Sequence, residues 1–223
     1  VEADAAGLDV HVHAIGDRTT RIALDAIEEA IAANGPRDRR HAIAHLELVD
    51  DADLPRFGQL GVIGQFSANW MAADPSNTVT VQQRCGAERF ATIYRPRALL
   101  EGGATIAFGS DWPASGWFST YKPLDAIETA VTRQSVGEPD MPVLEPLRER
   151  LDLTQALHAA TLGAAMQLRL DHLVGSIEAG KRADLVVLGD NLFDVERHRI
   201  AATRVEMTMM NGRFTHGGNE SRD

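Results

Sequence analysis

Apolar and polar positions alternate along this chain in short blocks. LDVHVHA (8–14), HAIAHLE (41–47), GVIGQFS (61–67) and ATIAFGSD (104–111) are apolar runs bounded by turn formers, the pattern of short buried strands. Between the first two, Ile22, Ala23, Ala26, Ile27, Ala30 and Ile31 recur at helical spacing over 18–34, and Asn34-Gly35-Pro36 stops the run. A short helix led by Asp50 and Asp51 is predicted over 50–60, and a helical stretch near 83–101 with a break or kink at Pro96. A further helix is predicted over 123–135, with Pro123 suited to its first turn. Strands alternating with helices predict βα units and a parallel sheet. Four such units fill roughly 130 residues, whereas a closed (β/α)8 barrel takes about 250.

The pattern changes after about residue 137. GEPDMPVLEP reads as a loop, and LDLTQALHAATLGAAMQL (151–168) as a helix with Thr154 at its N-cap. Short strands follow in GSIEAGKRADLVVLG and TRVEMTMMNGRFTH, and Asn211-Gly212 between two alternating runs is a hairpin signal. The expected organisation is an α/β unit over 1–170, a set of short strands over 171–216 and a disordered tail over 217–223.

Charge and composition narrow the function. With 32 acidic against 22 basic residues the net charge is −10, which repels nucleic acid and anionic membranes, so no partner of either kind is expected. One cysteine, Cys85, excludes an internal disulfide and a cysteine metal cluster, and fits a reducing, cytoplasmic setting. No run of 18 apolar residues suggests a membrane span. The opening VEADAAGLDV has neither an initiator Met nor a signal-peptide pattern and reads as the tail of a helix, so a cut chain is expected.

Three polar side chains, His13, His45 and Asp111, fall at the C-terminal ends of apolar strands, where βα barrels gather their catalytic groups. Two imidazoles and a carboxylate suit zinc or a similar divalent ion. Taken singly, each has an ordinary reading: a hydrogen-bonded strand-end histidine, or a capping aspartate. Their recurrence at equivalent points of successive units favours chemistry. Residues two apart on a strand point the same way, so His11 is a candidate to join His13. His41, His158 and His172 read as structural or surface residues, and Arg89, Arg95 and Arg97 as a solvated helix face.

The words HAIGD (13–17), AHLE (44–47), GSDWP (109–113) and GSIEAGKRADLVVL (175–188), followed by VEMTMMNGRF (205–214), together resemble the amidohydrolase superfamily. Within it, they are most similar to the branch of N-substituted formamide deformylases. The resemblance covers essentially the whole chain. It implies the second half of a (β/α)8 TIM barrel, strands 5–8 with their helices, plus the C-terminal strands of a small β-sandwich. Matched word by word, His13 is the histidine of strand 5, His45 that of strand 6 and Asp111 the aspartate of strand 8, which makes His11 a coincidental neighbour. The implied role of all three is metal ligation, with Asp111 also moving the proton. The implied cofactor is one or two divalent ions, zinc above all, and the implied substrate a small amide or formamide cleaved at a non-peptide C–N bond. Asp17 and Glu47 are candidates to support the ligands, and Trp70 and Trp112 to line a substrate pocket. The family's first-strand His-x-His has no counterpart here, so the chain is expected to need the missing half or to self-associate. The alternative is an inactive truncated or split-gene fragment that folds by association.

Overall fold

The computed structural model describes residues 1–114 and 120–218. Among them two sheets form. The first is parallel, ordered β1 (His11–Ala14), β2 (Ala42–His45), β3 (Ile63–Phe66) and β4 (Ile106–Phe108). Each strand pairs in parallel with the next in sequence, as successive βα units commonly do. The second sheet is antiparallel, ordered β5 (Leu185–Leu188), β6 (Val205–Met210) and β7 (Arg213–His216). Asn211 and Gly212 take φ of 49° and 79° in the β6–β7 turn, the doubly left-handed geometry that an Asn-Gly pair tolerates.

The helix Asp17–Asn34 lays Thr20, Ala23, Leu24, Ile27 and Ala30 on the sheet. Leu24 and Ile27 are almost fully buried, and each such side chain contributes about 1.5–3 kcal/mol. Asp17 begins that helix and accepts the Arg18 amide at 2.8 Å. The central strands β2 and β3 are buried along their whole length, whereas His11 and His13 on the edge strand β1 are exposed.

Three expectations change. The stretch near 83–101 is not one kinked helix but three short ones, Gln82–Cys85, Ala87–Phe90 and Pro96–Glu101; Gly86 (φ 80°) and Tyr94 (φ 48°) break the run, and Pro96 starts a helix instead of bending one. The cap of the later helix is Asp152, not Thr154: its carboxylate accepts the Gln155 amide at 2.8 Å while the Gln155 side chain accepts the Asp152 amide. Arg95 does not lie on a solvated face; it is buried and paired with Asp51. Of the predicted tail, residues 219–223 lie outside the described residues. Among the described residues no helix is long and apolar enough to cross a membrane.

Candidate metal and catalytic site

The C-terminal ends of β1 and β2 bring two imidazoles together. The rings of His13 and His45 lie edge to face with centroids 4.4 Å apart. Strand register alone would not place them so, because His13 pairs with Ala44, and His45 with Ala14, on the other face. His45 has φ 76° and Leu46 φ 54°, which ends the extended run and swings the His45 ring towards His13. Left-handed backbone at such residues costs about 1–2 kcal/mol each. Asp111 shares the feature at φ 55°.

His45 is buried, its Nδ1 lies 3.3 Å from the Ser67 hydroxyl, and its ring stacks flat on Trp70 at 4.9 Å. Burial, with the charges of His13 and His11, pushes its pKa below the ordinary histidine value, while Asp111 pulls the other way. The neutral imidazole is therefore favoured, the form that can donate a lone pair. These couplings place His11, His13, His45 and Asp111 in one neighbourhood. Among the described residues, however, no group of three or more His, Cys, Asp or Glu side chains is arranged to hold a metal ion. The donors fit a divalent ion in kind and fall short of it in number.

Beside this cluster, Trp70 also forms one wall of a cavity of about 350 Å³, with Glu47, Asp74, Asn77 and Tyr94 among the lining residues. The Tyr94 phenol donates to Glu47. Burial raises the pKa of Glu47, and the Asp74 charge adds to this while the Tyr94 bond opposes it; burial likewise raises Asp74. Tyr94 is held in turn by Arg133, a fully buried arginine whose guanidinium donates to the carbonyls of Ile93, Tyr94, Leu144 and Glu145 at 2.7–3.2 Å. Desolvation lowers the Arg133 pKa to about 10.

The structure brings together His13, His45, Trp70 and, through its field, Asp111. It places others apart. Asp17 forms a two-pronged pair with Arg89 at 2.9–3.1 Å, and Glu47 bonds Tyr94. Trp112 is 56% exposed and meets Tyr121 edge-on at 5.8 Å. Sequence reading passed over Ser67, Asp74, Tyr94 and Arg133. Only Ser67 carried a signal, as the last residue of the run 61–67, a strand end equivalent to those of His13 and His45.

The sequence profile described as "Amidohydrolase family" matches residues 1–216. Protein LONG AFTER FAR-RED 3 of Arabidopsis thaliana is 38% identical over 193 residues, 86% of this chain and 31% of that protein. The N-substituted formamide deformylase of Arthrobacter pascens is 28% identical over 213 residues, 95% of this chain and 37% of the enzyme. The chain thus spans about a third of the length of these relatives. A crystal structure of an uncharacterized metal-dependent hydrolase from Pyrococcus furiosus superposes with a TM-score of 0.63 at 31% identity, covering 81% of this chain and 33% of that one.

Proposed function

Because the chain belongs to the amidohydrolase family, we propose that it carries the second half of a barrel hydrolase site, built on strands 5–8, that cleaves a non-peptide C–N bond of a small amide or formamide. The observation that carries this reading is the convergence of His13 and His45, in the field of Asp111, at the C-terminal ends of consecutive parallel strands. His13, His45 and Asp111 would hold a divalent ion, and imidazole with carboxylate suits zinc. When bound, such an ion lowers the pKa of water towards about 7 and polarises a carbonyl. Asp111 would serve as the base that takes a proton from water and returns it to the departing amine. With Nδ1–H of His45 donating to Ser67, the Nε2 lone pair is left for ligation, and the flat Trp70 ring fixes the plane of the imidazole. Trp70 and the cavity behind it would receive the substrate. Asp17 and Glu47 would act on the site at one remove, through Arg89 and Tyr94.

The remaining ligands would come from the other half of the barrel, so the 223-residue chain alone is expected to hold zinc weakly and to turn over no substrate. Zinc titration with calorimetric detection tests the ligand assignment: His13→Ala and His45→Ala should each abolish the residual binding. Unchanged binding in both variants would sink it; turnover of an N-substituted formamide by the isolated chain under metal control would instead refute the need for the other half. A second reading, an inactive fragment that folds by association, is favoured by the exposed β5–β7 sheet, where Val186, Met210 and Phe214 are 55–65% exposed. Native mass spectrometry separates the two: a metal-loaded complex with a complementing chain supports the hydrolase, and a metal-free self-assembly supports the fragment.

A further inference from the structure

A second cavity, of about 440 Å³, opens between the helix Pro123–Thr132, the segment 147–153 and the loop 192–200. It shares no lining residue with the histidine site. Its floor is apolar, with Leu151, Leu192 and Ile200 buried, and Phe193 stands at its edge, 64% exposed. Its rim is cationic: Arg97, Arg148, Arg150 and Arg197 face one carboxylate, Asp152, whose side chain is already committed to the Gln155 amide. In a chain of net charge −10, that local excess of positive charge is conspicuous.

The arginines are poorly compensated. Arg148 lies 3.8 Å from Glu149, but among the described residues Arg97, Arg150 and Arg197 form no ion pair. Among the described residues the Arg150 side chain bonds only the Thr132 carbonyl, at 3.0 Å. Burial lowers its pKa and the Arg197 charge lowers it further, while the Glu145 charge opposes the shift. The Nε of Arg97 is enclosed and meets no hydrogen-bond partner, whereas buried donors are nearly always satisfied by protein, water or ligand. Guanidinium groups match phosphate and carboxylate oxygens two at a time. Four of them around one cavity offer more donors than a carboxylate's two oxygens accept, and suit the three terminal oxygens of a phosphate. The buried leucines and the exposed Phe193 provide a bed for a hydrocarbon or aromatic group.

We propose that this pocket is a binding site for a phosphate monoester carrying an apolar substituent, distinct from the histidine cluster. It stands or falls independently of the hydrolase reading, because the two sites have no residue in common. The test is calorimetry of the full chain with phenyl phosphate, inorganic phosphate, benzoate and benzyl alcohol as probes. Phenyl phosphate should bind at least about tenfold more tightly than each of the others, and more weakly as salt rises. Arg97→Ala and Arg197→Ala should each weaken it by about tenfold or more, while Arg204→Ala, an exposed arginine paired with Glu206 outside the pocket, should not. Arg197 is exposed, so its variant reports on binding even where Arg97→Ala disturbs folding. Equal binding of benzyl alcohol, benzoate or inorganic phosphate overturns the assignment. Wild-type affinity in both pocket variants, or an equal loss in Arg204→Ala, overturns it as well.

Discussion

His41 has both ring nitrogens engaged inside the protein. Nδ1 accepts the Val10 amide at 3.0 Å, so Nε2 carries the proton and donates to Asp4 at 3.1 Å. Asp4 is itself held by Arg37, Arg39 and Asn34, and the bonds from Arg39 and Asn34 lead in pushing its carboxyl well below the usual range. Burial dominates at His41 and lowers its pKa although Asp4 opposes the shift. A histidine whose folded pKa lies below the unfolded value of about 6.5 stabilises the fold above that pH and loses the contribution as pH falls towards the folded value. Asp4 acts in the same sense only at lower pH, below its unfolded value of about 3.9. Urea unfolding of wild type should therefore weaken as pH falls below about 6.5, with His45 contributing in the same sense, and His41→Asn, whose amide oxygen can still accept from Val10, should make that limb shallower. His41→Ala should cost about 1–3 kcal/mol at pH 8 by orphaning the Val10 amide. An acid limb as deep as that of the wild type in both variants would refute the assignment. Sequence read His41 as a structural or surface residue and His13 and His45 as strand-end groups, because residue type and strand position are written locally. It was silent on the left-handed turn at His45 and on Trp70 beneath its ring, which depend on what the neighbouring strand and loop leave open.

Gly163 shows how one element registers against another. It sits in the π-helical turn Ala159–Gly163, inside the helical run from Leu153 to Gln167, with ordinary helical φ of −58°. A Cβ there would come within 2.2 Å of the Ile106 carbonyl oxygen, so the missing side chain lets this helix lie directly on β4. Intrinsic propensity favours alanine over glycine by about 1 kcal/mol in a helix, while a backbone clash of this kind costs about 1–3 kcal/mol or more. Gly163→Ala is therefore expected to destabilise, by about 1–2 kcal/mol net, and a rise in the denaturation midpoint would contradict the packing. The helix Asp17–Asn34 was legible to within a residue because its apolar repeat, its start and its Gly-Pro stop all agree. The strands were read too long, β1 as 8–14 in place of His11–Ala14. An apolar run reports burial, whereas a ladder extends only as far as its neighbour pairs with it. The π turn left no trace in the Ala-rich helical pattern, since it arises from contact with β4.

At the scale of the molecule the two sheets are unequally covered. β2 and β3 are wholly buried, while β7 is exposed at every residue and β6 is at most partly buried. Phe214, Val186 and Met210 leave more than half their surface in water on a three-stranded sheet, the smallest size that holds without help, and then only with one apolar face packed. β1 and β4 have one strand neighbour each among the described residues, so each also presents unpaired backbone. Since the chain spans about a third of its relatives, these surfaces are where we expect the rest of a longer protein, or a second copy, to pack. Hydrogen exchange on the 223-residue chain should then divide by sheet. Amides of β2 and β3 should be protected to the level of global unfolding, and those of β5–β7 should exchange by local opening at much lower free energy. The same sample should run above 24.2 kDa by light scattering, with the apparent mass rising with concentration. On the proposed half-barrel reading, adding a chain that supplies the first half of the barrel and sandwich should slow exchange in β5–β7 and replace self-association by a defined pair. Protection of β5–β7 equal to that of β2 in a monomeric sample would mean that the small sheet stands alone, and that no covering partner is needed.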